Sequence, residues 1–141
     1  MMISTRGRYA LRVMIDLAEH AADGYVPMRD VAERQDISLK YLEKLMPVLT
    51  GEHLVEGLQG KGGGYRLTKA PEEYVVGDIL RLMEGSLAPV ACLAEGTNTC
   101  PRAAECKTLP LWSKLNRAIS DCLDSVTLAE LVQENVDNYV I

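Results

Sequence analysis

Phenylalanine is absent from the 141 residues, and tryptophan occurs only once. Because 48% of the residues are nevertheless apolar, we expect a core built mainly from aliphatic side chains. No run approaches the roughly 20 apolar residues that a membrane-spanning helix needs, and the first residues contain no apolar stretch typical of a signal peptide. The composition therefore predicts a cytoplasmic globular protein with no membrane association, made of one domain or of a small domain with an appendage.

Residues that build catalytic and zinc sites are also scarce. There are two histidines and four cysteines, and no two cysteines form a close C-x-x-C pair of the kind that structural zinc sites prefer. Structural disulfides are rare in a reducing cytoplasm, so the cysteines are better candidates for metal ligands or redox groups. No grouping of Cys, His and acid suggests a nucleophile with its base, and no cofactor fingerprint is present. We therefore do not expect an enzyme.

The chain has no overall excess of positive charge, since its formal net charge is −5. The charges are unevenly distributed, however. Residues 1–15 contain three arginines (Arg6, Arg8 and Arg12) and no acid, and residues 57–71 contain Lys61, Arg66 and Lys69 and no acid. The acids are concentrated in 16–36 and 72–84. Because DNA responds to a local basic face, the total charge does not exclude a nucleic-acid partner.

Apolar periodicity predicts a mainly α-helical protein with one small β-hairpin. The predicted helices cover 5–22, 28–35, 39–51, 75–84, 109–123 and 127–138. Short strands are expected at 54–56 and 65–68, on either side of the glycine-rich stretch 59–64. In the first helix, Asp16 falls on the polar side. In the long helix, Cys122 continues an apolar stripe and is expected to be a small buried side chain.

A short helix, a tight turn at Asp36-Ile37 and a second helix with N-cap Ser38 form the pattern of a helix-turn-helix, and the hairpin adds a wing. An α-helix fits the major groove, where base edges carry a distinct pattern of donors and acceptors. The residues expected to contact DNA are Arg8, Ser38, Lys40, Tyr41, Glu43, Lys44, Gln59 and Lys61. A solvated polar face is the alternative interpretation of 39–51 alone. The Gly-Lys-Gly run does not fit a P-loop, because no Ser or Thr follows Lys61.

Three stretches closely resemble the IscR-type regulators, a family that also includes NsrR and CymR: Thr5-Arg6-Gly7-Arg8-Tyr9-Ala10, Ile37-Ser38-Leu39-Lys40-Tyr41-Leu42-Glu43 and Gly60-Lys61-Gly62-Gly63-Gly64-Tyr65. The resemblance continues through Leu111-Trp112 and 127–131. It implies a winged-helix dimer whose long C-terminal helix packs against that of its partner, with Ser38, Lys40 and Glu43 at base-reading positions. Gln59 stands where IscR has an arginine in the wing, which leaves the operator sequence open.

Cys92, Cys100 and Cys106 lie on one aperiodic stretch, with seven and five residues between them. Three such thiolates can ligate an iron–sulfur cluster, although the residues alone leave an unligated redox pair or a chance grouping open. By the resemblance, they match the family's cluster ligands. The histidine that completes the ligand set in IscR is replaced by Leu109. The fourth ligand (Glu95, Glu105, an exogenous thiol or water) and the choice between 2Fe–2S and 4Fe–4S therefore stay open.

Together these features predict a winged helix-turn-helix domain over 1–84, a cluster segment over 85–108 and dimerisation helices over 109–141. The predicted dimer interface consists of Leu111, Leu115, Ala118, Cys122 and Leu123. The expected function is a homodimeric repressor or dual regulator that binds double-stranded DNA and senses iron–sulfur supply, oxidants or nitric oxide. The alternative is a cluster-free thiol sensor or a CymR-like regulator controlled by a partner protein.

Overall fold

The structure of the protein is a computed structural model that describes residues 3–94, 102 and 104–133. Within these residues there are six α-helices and one two-stranded antiparallel sheet. The elements are α1 (Thr5–Glu19), α2 (Met28–Gln35), α3 (Leu39–Gly51), β1 (Val55–Leu58), β2 (Gly64–Leu67), α4 (Val76–Glu84), α5 (Leu109–Asp124) and α6 (Leu128–Gln133). The predicted fold class is confirmed.

The first helix supplies much of the hydrophobic core. It begins after Ser4, whose hydroxyl accepts a hydrogen bond from the backbone N–H of Gly7 at 3.3 Å. Its buried apolar residues are Ala10, Val13, Met14 and Leu17. The helix ends at Glu19, earlier than the sequence predicts, because residues 21–23 form a separate 3₁₀ turn before Gly24.

The turn between α2 and α3 has the geometry that a helix-turn-helix needs. Asp36 lies in the left-handed region with φ of 54°, which ends α2 and reverses the chain. Ser38 then caps α3, accepting a hydrogen bond from the backbone N–H of Tyr41 at 3.1 Å. The predicted turn and N-cap are both confirmed.

The hairpin pairs Val55 with Leu67 and Leu58 with Gly64 at its two ends. Its base is tied to the segment before α2, because Val26 and Tyr65 exchange two backbone hydrogen bonds of 2.8 and 2.9 Å. A side chain at Gly64 would collide with the Val26 carbonyl group, so only glycine permits this close approach. The wing therefore has a rigid base joined to the helical core.

The chain returns to this core after α5. The backbone N–H of Leu128 donates to Tyr74 O, and that of Val76 donates to Val126 O, both at 2.9 Å. Leu128 is completely buried in the cluster that contains the apolar residues of α1. The last predicted helix (127–138) begins as expected, and its residues after 133 lie outside the described residues.

α5 matches its predicted range but has no buried residue. Ile119 and Leu123 pack against Val76, Leu80 and Leu87, whereas Leu111 and Leu115 are 56% and 41% exposed. The prediction that Cys122 is buried is wrong for the single chain, because Cys122 lies on the exposed side of α5. Leu123, predicted at the dimer interface, instead faces α4. No helix of the described residues is long and apolar enough to cross a membrane.

Candidate nucleic-acid interface and cysteine segment

The polar side chains expected to read DNA lie on the outer surface of α3. The exposed residues among them are Ser38, Lys40, Glu43 and Lys44. Tyr41 differs, since it is half-buried and its ring meets the ring of Tyr9 edge-on, with centroids 5.5 Å apart. This T-shaped contact is a favourable aromatic geometry and connects α3 to α1. Tyr41 therefore has a packing role as well as an accessible edge.

The arginines of α1 have three different environments. Arg8 is exposed and donates to Thr5 Oγ1 at 3.1 Å within its own helix. Arg6 donates to the carbonyl of Met83 at 2.8 Å and borders a cleft with Tyr41 and Lys44. This places the start of α1 beside α3, the recognition helix of the helix-turn-helix pattern.

Arg12 has its contacts inside the protein. Its guanidinium donates to both the backbone carbonyl and the side-chain oxygen of Gln35 and lies over the Tyr9 ring, 5.0 Å from the centroid. Gln35 is the last residue of α2, whose terminal carbonyl groups lack partners within the helix. Arg12 thus caps α2, a role that its position in the sequence did not reveal.

The tip of the wing carries the remaining candidates, Gln59 and Lys61, both exposed. The tip turns through Gly60 and Gly62, with φ of 92° and 77°, and is closed by a hydrogen bond from Gly63 N to Gly60 O at 3.0 Å. Among the described residues, none forms an ion pair with Lys61. Its charge is therefore available to a phosphate backbone.

Asp16 was predicted on the polar side of α1, and this is wrong because it is only 1% exposed. Arg34 donates to its two oxygens at 3.0 and 2.7 Å, and the Gln35 amide donates at 2.9 Å. Burial raises the pKa of Asp16, but the hydrogen bonds from Arg34 and Gln35 and the nearby positive charge outweigh it, so the net pKa is lowered. This ion pair, with its buried carboxylate and partly exposed guanidinium, holds α2 against α1.

We call residues 85–108 the cysteine segment. Cys92 is half-buried in a 3₁₀ turn (Ala91–Leu93), Cys106 lies just before α5, and Cys100 lies outside the described residues. The 3₁₀ turn contacts α5. In the described part of the chain, no group of three or more His, Cys, Asp or Glu side chains forms a metal site. The predicted triad therefore stays a prediction.

The chemistry of Cys106 suits a metal ligand. Its Sγ is 3.3 Å from Thr108 Oγ1. The pKa of this thiol is lowered chiefly by the Thr108 hydroxyl and backbone, with a smaller contribution from the charge of Arg102. A lowered pKa favours the thiolate, the form that binds iron. Cys92 and Cys106 thus supply donors of the type that a thiolate-ligated cluster uses.

Similarity to known proteins extends over almost the whole chain. A family model described as Rrf2, iron-dependent transcriptional regulator, matches residues 3–134. The HTH-type transcriptional regulator IscR of Aliivibrio salmonicida is 41% identical over 135 residues, covering 96% of this chain and 79% of that protein.

Two solved structures share the fold. IscR of T. potens has a TM-score of 0.78 at 35% identity, covering 100% of this chain and 93% of that one. CymR, the global cysteine regulator of B. subtilis, has a TM-score of 0.77 at 35% identity, covering 94% and 96%. With its capped recognition helix, its anchored wing and this similarity, the chain belongs to the Rrf2 family of DNA-binding transcription regulators and is not an enzyme.

Proposed function

We propose that the protein is a cytoplasmic homodimer that binds an iron–sulfur cluster through Cys92, Cys100 and Cys106 and changes its affinity for DNA with the state of that cluster. The observation that carries this proposal is the position of the cysteine segment. It directly joins α4, which ends beside the residues expected to bind DNA, to α5, whose outer face has no partner among the described residues. Iron–sulfur supply, oxidants or nitric oxide are the expected signals.

The DNA-binding surface consists of the start of α1, the exposed side of α3 and the tip of the wing. Lys40 and Lys44 provide positive charge for guanine or phosphate, and Glu43 can accept a hydrogen bond from a cytosine amino group. Gln59 and Lys61 at the wing tip fit the phosphate backbone or the minor groove. Arg8, at the exposed start of α1, adds a further phosphate contact.

The second copy occupies the outer face of α5. We call Leu111, Leu115, Ala118 and Cys122 the interface stripe, because they recur at helical spacing and are all exposed. Two leucines this exposed on the longest helix favour burial against an identical stripe, as in a two-fold dimer. The opposite side of α5 is already covered by α4.

Contacts at the end of α4 connect the cysteine segment with the DNA-binding surface. Ser4 donates to Glu84 Oε1 from its backbone N–H at 3.0 Å and from its hydroxyl at 2.6 Å. Because Glu84 is the last residue of α4 and Ser4 caps α1, a shift of the cysteine segment reaches the helix that contacts α3. When bound, a cluster supplies a redox-active group whose assembly or loss changes the order of this segment.

The test is an anaerobic visible spectrum with iron and sulfide counts per chain. We expect substitution of Cys92, Cys100 or Cys106 by Ala to abolish stable cluster binding, because thiolates supply most of the affinity. Cys122→Ala is the matched control and should leave the spectrum unchanged. If wild-type protein contains neither iron nor sulfide after anaerobic purification, the cluster proposal is contradicted and a thiol-only regulator is favoured. Loss of the visible absorbance in the Cys122→Ala variant but not in the Cys100→Ala variant would contradict the assigned ligands.

A further inference from the structure

An ion pair joins the DNA-binding half of the chain to the dimerisation helix. Arg81, on α4, donates from Nη1 to Asp124 Oδ1 at 2.7 Å and from Nη2 to Asp124 Oδ2 at 2.9 Å. Asp124 is the last residue of α5. Two parallel bonds between planar groups fix their relative orientation as well as their distance. The pair therefore constrains the angle between α4 and α5.

The other contacts between these helices are less directional. Leu80 packs in one apolar cluster with Ile119 and Leu123, and such packing resists separation more strongly than rotation. Past the end of α5, the chain is held by the hydrogen bond from Val76 N to Val126 O. The end of α5 that contains Asp124 is thus anchored, and Arg81 provides the oriented contact there.

On the other side of Arg81 the packing is open. A cavity of about 210 Å³ lies between α5 and the residues that follow α4, and Arg81, Ser86, Leu93, Asn116 and Ser120 are among the residues that line it. Leu93 belongs to the 3₁₀ turn that contains Cys92. Arg81 therefore lies at the boundary between the anchored end of α5 and the part that the cysteine segment contacts.

Gly77 shows how closely the ion pair fits against α4. A Cβ atom at this position would collide with Asp124 Oδ1 and would lie 2.9 Å from Arg81 Nη1. Alanine is intrinsically better than glycine inside a helix. Substitution of Gly77 by Ala would therefore displace the ion pair without weakening α4 itself.

We propose that Arg81 is a positioning residue for operator selection. Through Asp124 it sets the angle between α5 and the DNA-binding half, and therefore the separation of the two recognition helices in the dimer. This inference rests on the proposed function, because it requires a second copy on the interface stripe. Each base pair inserted between half-sites rotates one of them by about 35°. A dimer with a fixed angle between α4 and α5 accepts one spacing, whereas a dimer in which this angle varies also accepts spacings one base pair longer or shorter.

The experiment uses the full chain and a half-site selected with wild-type protein from a random DNA library. Duplexes carry two copies of this half-site at spacings varied in single base-pair steps around one helical turn. Fluorescence anisotropy gives the affinity of wild type, Asp124→Asn and Gly77→Ala for each duplex. We expect wild type to prefer one spacing, and both variants to reduce that preference about fivefold, the effect of losing one accessible ion pair in each of the two protomers. Affinity for an isolated half-site and the dimer mass by sedimentation should not change.

Asp78→Asn is the matched control. Its carboxylate also lies near Arg81 Nη1, at 3.6 Å, but on α4 itself, so it cannot set the angle to α5. We expect it to retain the wild-type spacing profile. If Asp124→Asn and Gly77→Ala also retain that profile, or if the dimeric wild type binds all spacings equally, the inference is wrong and the proposed function stands. A monomeric wild type, or one that binds no duplex, would overturn the proposed function and this inference with it.

Discussion

Asp16 is a charged side chain almost entirely inside the protein, and its partners make that burial possible. Arg34 engages both carboxylate oxygens, and Gln35 donates a third hydrogen bond. The spacing of Asp16 from Arg12 and Glu19 predicted a polar helix face. The sequence could not reveal the burial, because Arg34 and Gln35 reach Asp16 only after α2 packs on α1. A helical pattern identifies a face but not the neighbour that covers it.

We expect Asp16→Asn to lower the free energy of unfolding at pH 7 by about 2 kcal/mol, less than for a fully buried pair because Arg34 is partly exposed. The folded-state pKa of Asp16 is depressed, so its contribution is present above the unfolded pKa of about 4 and is lost as the pH falls through the folded pKa. Urea unfolding at several pH values measures this. The difference between wild type and variant should shrink below about pH 4. The exposed Asp23→Asn is the control, and an equal loss there would contradict the assignment.

Leu109 offers a test of the ligand set at a single position. It is the first residue of α5, and its backbone N–H donates to Cys106 O at 3.3 Å. A histidine here would lie within one turn of the Cys106 thiol. We expect Leu109→His to slow the loss of visible absorbance in air about threefold or more, since a protein ligand replaces an exchangeable one. Leu109→Ala is the control, because it removes the leucine without adding an imidazole. If both substitutions change the rate of absorbance loss equally, histidine ligation is contradicted.

At the scale of elements, the recognition helix combines a buried side with a charged side. Its core residues and its N-cap were predictable, because both follow from local periodicity and capping chemistry. The half-buried position of Tyr41 was not predictable, since it depends on Tyr9 of another helix. α5 was placed almost to the residue by its apolar repeat. The burial of Cys122 and the direction of Leu123 were predicted incorrectly, because the sequence did not separate the side of α5 that packs on α4 from the side that is exposed.

We expect the double substitution Lys40→Ala and Lys44→Ala to weaken operator binding and to flatten its dependence on salt. Each lost phosphate contact should reduce the slope of log K against log salt by about 0.9, because fewer counterions are released. Titrations at several salt concentrations measure both effects. Lys114→Ala, an exposed lysine on α5, is the matched control. Unchanged affinity and slope in the double variant would remove α3 from the DNA-binding surface.

At the scale of the whole molecule, charge is separated by position. The net charge of −5 would oppose contact with DNA if it were spread evenly. Instead, the lysines of α3 and the wing point outward, while the most deeply buried acid is neutralised by Arg34. The sign of the net charge therefore does not predict whether the protein binds DNA, because binding depends on the charge of the local surface.

The proposed dimer also concerns the whole molecule, and we expect Leu115→Glu to disrupt it. Two carboxylates would face each other on the interface stripe, where burial of unpaired charge is costly. Sedimentation velocity at micromolar concentration should then show a monomer, and affinity for a two-half-site operator should fall at least about tenfold because one duplex no longer holds two linked domains. Arg117→Glu, exposed on the same helix but off the stripe, should remain dimeric. A dimeric Leu115→Glu protein would place the interface elsewhere.

The return of the chain after α5 has a consequence for how the protein is assembled. Leu128 fills a site among the core residues of α1, and its backbone N–H donates to the carbonyl of Tyr74 in the segment before α4. α5, the proposed dimerisation helix, therefore lies between two portions of one folding unit and is not a tail added to a finished domain. Cutting the chain after α5 would leave the site of Leu128 in the core empty. A nascent chain therefore cannot complete its DNA-binding core until α5 has been synthesised.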